Sequence, residues 1–108
     1  MEEKLLEIIN HYGVMPQLKY FQSEVFELNE VIIKYEDDKY YMLEPEGLEV
    51  GKNYIAEEIA DVEVMLLQFK EYYHIDGKQI LEIMNKKIDR QLERIKKESV
   101  KDESRNII

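Results

Sequence analysis

The chain has 108 residues, with 15 basic and 24 acidic side chains and a formal net charge of −9. This acidic balance argues against a nucleic-acid partner, because binding a phosphate backbone requires a concentrated basic surface. The absence of cysteine excludes disulfides, thiolate zinc sites and a cysteine nucleophile, and it fits a reducing compartment. No apolar run approaches the roughly 18 residues that span a bilayer, and no signal-peptide pattern opens the chain. We therefore expect a cytoplasmic protein without a membrane partner.

Four stretches with helical periodicity follow one another along the chain. The first covers about residues 2–12 and ends at Gly13, a common C-terminal stop. The second has Pro16 in its first turn and is expected to run through Ile33. The apolar stripes of these two helices are Leu5, Ile8 and Ile9, and then Leu18, Phe21, Val25, Leu28 and Ile32.

Asn53 and Asp76 are the expected N-caps of the third and fourth helices. The corresponding apolar stripes are Ile55, Ile59, Val62, Leu66 and Phe69, and then Ile80, Met84, Ile88, Leu92 and Ile95. Steps of three and four residues are typical of bundle helices. The pattern predicts an all-α fold, a small four-helix-type bundle forming a single domain over residues 1–108, whose charged tail frays from about residue 97.

The segment between the second and third helices, about residues 35–52, is expected to lack helix. It contains Pro45, Gly47 and Gly51, which are typical of loops. A loop after Ile33 is the favoured interpretation. The alternative is a small hairpin that pairs residues 31–35 with residues 39–43.

Two pairs of acidic residues are spaced i,i+3 on neighbouring helices. Glu24 and Glu27 lie on the second helix, and Glu58 and Asp61 lie on the third, so each pair projects from one side of its helix. Glu24 and Glu58 fall about 70° and 60° from the centres of their apolar stripes, on flanks that would otherwise be buried. Buried carboxylates require protonation or a cation, and hard oxygen ligands in this number suit Mg²⁺ or Mn²⁺. The alternative is that both pairs lie on solvated faces of an acidic bundle.

The fourth helix carries a basic row formed by Lys87, Arg90 and Arg94. A metal ion and nearby basic side chains can together bind and cleave a polyphosphate, because they stabilise the negative charge that spreads over the phosphoryl oxygens in the transition state. The alternative for this row is ordinary i,i+4 pairing with acids of the same helix.

Three segments of the chain resemble the MazG-type, all-α nucleoside triphosphate pyrophosphohydrolases. They match the family's E-x-x-E motif, its E-x-x-D motif and the N-x-K-F-x-R stretch that follows, and they span about residues 17–95. In chain order the segments are Glu24-Val-Phe-Glu27, Glu57-Glu58-Ile-Ala-Asp61-Val and Asn85-Lys-Lys87-Ile-Asp-Arg90-Gln-Leu. The sequence departs from the family at Ser23, where many members carry a further Glu.

The resemblance implies an enzyme that hydrolyses a nucleoside triphosphate to the monophosphate and pyrophosphate, for house-cleaning or control of nucleotide pools. It also implies a homo-oligomer, either a dimer or a tetramer. Glu27 is the candidate general base, with Glu24 as the other catalytic carboxylate. The implied site residues are Glu24, Glu27, Glu58 and Asp61 as Mg²⁺ ligands, Glu57 in support, and Lys87, Arg90, Arg94 and Asn85 as contacts to the substrate phosphates.

Two rival functions remain open on the sequence. The chain could be a non-catalytic helical module for oligomerisation or regulation, whose acids keep it soluble. It could instead bind nucleotides without cleaving them. The two histidines, His11 and His74, lie near predicted helix ends and are expected at the surface, so neither a zinc site nor a catalytic triad is supported.

Overall fold

The described residues form four α-helices and contain no β-strand. The computed structural model describes residues 1–39 and 45–106. The helices are α1 (Glu2–Tyr12), α2 (Val14–Asp38), α3 (Pro45–Tyr72) and α4 (Gly77–Asn106). The predicted all-α class is therefore confirmed. None of the helices described here has both the length and the apolar character that a membrane crossing requires.

The chain divides into two compact units. The first unit, Met1–His74, contains α1, α2 and α3, and the second unit begins at Ile75 and contains α4. The single domain expected over residues 1–108 stays a prediction.

Gly13 separates α1 from α2, as the sequence predicts. Its φ of 92° lies in the left-handed region, which residues with a Cβ rarely adopt. Its backbone N–H donates to the carbonyl oxygen of Ile9 at 2.8 Å and so satisfies one of the last carbonyls of α1. The chain can then re-enter a helix at Val14, two residues before the predicted first-turn proline.

The boundaries of α2 and α3 correct the sequence-based expectation. α2 continues five residues past Ile33 to Asp38, so residues 31–35 are helical and the alternative hairpin is wrong. Residues 40–43, which would form its second strand, lie outside the described residues. α3 begins at Pro45, so Asn53 does not cap it.

Proline and glycine in this segment serve the helix rather than interrupt it. Pro45 occupies the first position of α3, where a missing N–H costs no hydrogen bond. Gly51 lies against the ring of Tyr35 on α2, and a Cβ there would come within 2.6 Å of a ring carbon. The glycine that reads as a loop residue thus permits close contact between the two helices.

Polar residues occupy half of the most buried positions among the described residues of the first unit. The buried apolar side chains there are Leu5, Ile9 and Met65, and the buried polar ones are Gln17, Glu24 and Gln68. By contrast, most residues of the predicted apolar stripes on α2 and α3 are partly exposed. The buried surface therefore includes the flank that carries the acids.

Aromatic packing supports the contact between α2 and α3. The rings of Phe21 and Phe69 meet edge to face with centroids 5.7 Å apart. This is a favourable arrangement of ring quadrupoles. It lies between the two buried polar positions Gln17 and Glu24 of α2, so it holds the helices together where they bury polar groups.

In the second unit, Asp76 caps α4 as predicted. Its side-chain oxygen accepts a hydrogen bond from the backbone N–H of Lys78 at 3.0 Å. The helix extends past residue 97 to Asn106, and fraying of this tail stays a prediction. Four members of its apolar stripe, Met84, Ile88, Leu92 and Ile95, are each at least half exposed.

Candidate metal centre

Three glutamates from two helices converge in the first unit. Glu24 and Glu27 lie one turn apart on α2, and Glu58 projects from α3. Each offers one carboxylate oxygen, and the three oxygens all lie within 4.8 Å of one another. We call these residues the carboxylate cluster. Three of the four acids predicted to bind Mg²⁺ are thus brought together.

The carboxylate cluster extends from the protein interior to the surface. Glu24 is only 4% exposed, Glu58 is half-buried, and Glu27 is exposed. One oxygen of Glu24 and one oxygen of Glu58, Oε2 in each case, are fully enclosed and have no hydrogen-bond partner. Buried polar atoms in native proteins are nearly always paired, so two enclosed carboxylate oxygens without a partner require a proton or a cation.

The pKa of Glu58 is raised above its ordinary value of 4.5. Desolvation is the largest cause, because burial disfavours the charged form. The negative charges of Glu27, Asp61, Glu24 and Glu57 add to it in that order. A bound divalent cation would act in the opposite direction and favour the ionised carboxylate.

The cluster also changes the pKa of Tyr20, which lies one turn before Glu24 on α2. The pKa of its hydroxyl is raised, first by hydrogen bonding to the Glu24 carboxylate and then by the charge of Glu24. Charges on Asp61 and Glu27 raise it further. The phenol therefore stays protonated and can donate toward the cluster from the neighbouring turn.

Three lysines of the described chain form ion pairs with acids outside the cluster. Lys39 pairs with Glu36 in α2, and the Lys70 ammonium lies 2.7 Å from a carboxylate oxygen of Glu71 in α3. On α4, Lys96 lies 3.6 Å from Glu93.

The remaining predicted site residues lie at the edge of the cluster or on α4. Asp61, one turn after Glu58, is exposed, and so is Glu57, the residue directly before Glu58. Neither belongs to the group of three, but the charges of both raise the pKa of Glu58. The predicted phosphate contacts, which share exposed positions on α4 in the second unit, are Asn85, Lys87, Arg90 and Arg94. His11 and His74 are exposed, as predicted.

A second buried polar feature joins the same two helices, and the sequence analysis missed it. The side-chain amide nitrogen of Gln17 on α2 donates to the amide oxygen of Gln68 on α3 at 2.7 Å. Both side chains are buried, at 7% and 2% exposure. We call Gln17 and Gln68 the amide pair. The sulfur of Met65 lies 3.7 Å from the Gln68 nitrogen and 4.0 Å from the Gln17 nitrogen.

A spacing of seven residues is the signal that could have revealed the amide pair. Gln17 precedes Glu24 by seven positions, and Gln68 follows Asp61 by seven positions. Seven residues are close to two helical turns, so each glutamine lies on the same face as an acid of its helix. A face that carries both an acid and an amide is a candidate for buried polar contacts.

The carboxylate cluster has the chemistry of a hard-cation site. Carboxylate oxygens are the ligands preferred by Mg²⁺, Mn²⁺ and Ca²⁺, and the absence of nitrogen or sulfur donors in the group argues against softer metals. The group could therefore hold a metal ion. No family model, no curated protein and no solved structure matches this chain.

Proposed function

We propose that this protein is a Mg²⁺-dependent pyrophosphohydrolase that cleaves nucleoside triphosphates to the monophosphate and pyrophosphate. One observation carries the proposal. Three carboxylate oxygens from α2 and α3 lie within 4.8 Å of one another, and two of the carboxylates have an enclosed oxygen without a partner. Such a group is costly unless a proton or a cation binds there, and the ordered acidic and basic motifs of the chain point to polyphosphate chemistry with a metal ion.

Glu24, Glu27 and Glu58 would hold the metal, with Asp61 as a further ligand from the next turn of α3. A bound Mg²⁺ would supply Lewis-acid polarisation of the phosphate and would make an attacking water more acidic. Mn²⁺ has similar ligand preferences and is expected to substitute for Mg²⁺.

Glu27 is the proposed general base. Its carboxylate belongs to the cluster but is exposed, so water can reach it, whereas Glu24 is enclosed and serves as a ligand. A base must lie within hydrogen-bond reach of the water that it deprotonates. The roles of the two glutamates of α2 are therefore assigned by their difference in exposure.

The basic row of α4 is proposed to contact the substrate phosphates. Lys87, Arg90 and Arg94 are exposed and spaced three and four residues apart, so their positive charges lie along one side of the helix. Arginine in particular matches the geometry of phosphate oxygens. Asn85, two residues before Lys87, adds a neutral hydrogen-bonding group to the row. Glu57 is proposed to support the carboxylate cluster.

We further propose that the active form is a cytoplasmic homo-oligomer, either a dimer or a tetramer. Large apolar side chains are exposed on α2, α3 and α4, including Phe26 and Ile33 at 60% and Leu66 at 50%. A second copy of the chain would bury such surface with the same residues on both sides. The absence of cysteine is compatible with a reducing compartment.

Thermal unfolding with and without metal tests the cation site. Millimolar Mg²⁺ or Mn²⁺ is expected to raise the melting temperature by several degrees, since the ion binds the folded state. The variant Glu58→Gln is expected to lose this response. Glu63→Gln, an exposed acid on the same helix, is the matched control and should retain it. An unchanged response in Glu58→Gln would contradict the assignment.

Pyrophosphate release over a panel of ribonucleoside and deoxyribonucleoside triphosphates tests the reaction. Turnover that requires Mg²⁺ and disappears in Glu58→Gln is the expected result. A metal response without turnover would instead indicate a nucleotide binder, and no response to metal or nucleotide would indicate a structural or regulatory helical module.

A further inference from the structure

A cleft of about 580 Å³ lies beside the carboxylate cluster in the first unit. Its volume falls in the range of small-molecule sites. Asp61 and Tyr20 line it, and each lies one helical turn from a glutamate of the cluster. The amide pair, Gln17 and Gln68, also lines it. The cleft therefore extends from Asp61, at the edge of the cluster, to the two buried amides.

The walls of the cleft suit a flat, largely apolar group. Ile8, Pro16 and Val64 contribute aliphatic surface. Tyr12 and Tyr20 contribute exposed aromatic rings, which can pack against a planar ligand. Apart from Asp61, the polar groups of the lining are neutral amides and phenols, so the cleft favours an uncharged group over an anion.

Gln17 has an acceptor that the protein leaves unused. Its amide nitrogen is occupied by Gln68, but no hydrogen bond among the described residues reaches its amide oxygen. The side chain is more than nine-tenths buried, but this oxygen is not one of the fully enclosed unpaired oxygens, so it keeps accessible surface at which a ligand in the cleft can reach it. An acceptor in this position would be satisfied by a donor on a ligand in the cleft.

Helix geometry places the amide pair at a suitable distance from the acids. Gln17 lies seven residues before Glu24, which is about 10 Å along the axis of α2. A sugar and a base together span a separation of this size. A nucleotide with its phosphates at the acids can therefore extend its base to the amides.

We propose that the cleft holds the base of the nucleotide and that the Gln17 amide oxygen accepts a hydrogen bond from an exocyclic amino group of that base. The preferred substrates are then nucleotides whose base carries such a group, rather than uracil or thymine nucleotides. This inference rests on the proposed function, and it adds the specificity of the same site.

Cytosine and uracil nucleotides provide the sharpest test, because cytosine carries an amino donor at C4 and an unprotonated N3, whereas uracil carries a keto acceptor at C4 and a hydrogen on N3. A donor at the C4 position is therefore present in cytosine alone. Binding of non-hydrolysable α,β-imido dCTP and dUTP is measured by calorimetry with Mg²⁺, and KM is measured for dCTP and dUTP. Wild-type protein is expected to prefer the cytosine nucleotide by about tenfold, the scale of one net hydrogen bond. In Gln17→Met this preference is expected to fall to within about twofold.

Two further variants make the result interpretable. Gln22→Met, at an exposed position of the same helix, should keep the wild-type preference. The double variant Gln17→Met/Gln68→Met removes both amides, so it leaves no buried amide unpaired and should fold even if Gln17→Met does not. It too should lose the preference.

Titration with Mn²⁺ alone separates failure of this inference from failure of the proposed function. If Mn²⁺ and both nucleotides bind but the cytosine preference is absent, or is unchanged in Gln17→Met and in the double variant, the inference is overturned and the proposed function stands. If neither Mn²⁺ nor any triphosphate binds, the proposed function is overturned together with the inference.

Discussion

The amide pair and the carboxylate cluster both bury polar groups between α2 and α3, but they differ in how those groups are compensated. Gln17 and Gln68 compensate each other, since one amide donates to the other at 2.7 Å. Glu24 and Glu58 do not, because both are acceptors and each keeps an enclosed oxygen without a partner. The contrast shows that the amide pair satisfies one buried donor and one buried acceptor within the protein, whereas the two carboxylates require an added proton or cation.

The largest expected effect tests whether the acids of the cluster have different roles. Replacing Glu27 by Gln keeps an oxygen ligand but removes the proposed base, so kcat should fall by roughly 10²–10⁴-fold. The melting-temperature response to Mn²⁺ should be weakened much less than in Glu58→Gln. Steady-state kinetics and thermal unfolding on the same preparations measure both. A variant with wild-type kcat would show that Glu27 is not the base.

Breaking the amide pair is expected to produce the next largest effect. Gln17→Met or Gln68→Met leaves one buried amide without its partner, which costs about 1–3 kcal/mol. In a domain of this size each kcal/mol lowers the melting temperature by about 4–8 °C. The double variant should lie closer to wild type than the sum of the two single variants. Strictly additive losses in this double-mutant cycle would mean that the two amides do not interact.

Removal of one buried acid should change stability in opposite directions with and without metal. In a chelator, Glu24→Gln is expected to raise the melting temperature by about 4–8 °C, which corresponds to roughly 1 kcal/mol, because repulsion within the cluster falls. In millimolar Mg²⁺ the same variant should melt below wild type. Glu30→Gln, an exposed acid on the same helix, should show neither change. A lower melting temperature in both conditions would argue against an uncompensated cluster.

The smallest effect is the pH dependence of the metal-free protein. Because the pKa of Glu58 is raised in the folded state, the folded protein binds this proton more tightly than the unfolded chain. The contribution of Glu58 to stability therefore falls as pH rises from its ordinary value of 4.5 through the raised pKa, and it stays low above that. The melting temperature of wild type minus that of Glu58→Gln should decrease by a few degrees over this window. A difference that is constant with pH would contradict the raised pKa.

Local sequence signals predicted the end of α1 and the start of α4 better than the boundaries of α2 and α3. Gly13 and Asp76 act through their own backbone geometry and capping bonds, so their positions could be predicted without knowledge of any other helix. Gly51 could not, because its role depends on the ring of Tyr35, sixteen residues earlier in the chain. Glycine in a helix is unfavourable by itself, and only close packing against a neighbour accounts for it.

A helical wheel predicted which face of each helix carries the acids, but not which of the acids meet. The wheel placed Glu24 and Glu58 on flanks rather than on exposed faces, and their low or intermediate exposure agrees with this. It did not predict that Asp61, one turn from Glu58, would stay outside the group of three. That difference depends on where along α3 the partner helix passes, which periodicity does not contain.

The sequence by itself determined that the chain is helical, that α1 ends at Gly13, and that acids lie beside the apolar stripes of α2 and α3. The tertiary structure alone decided which acids of these flanks are buried, that Glu24 meets Glu58, and that Gln17 meets Gln68. The physical reason is that the period of a sequence specifies an angle around one helix axis, whereas a contact also depends on the rotation and offset of the second helix.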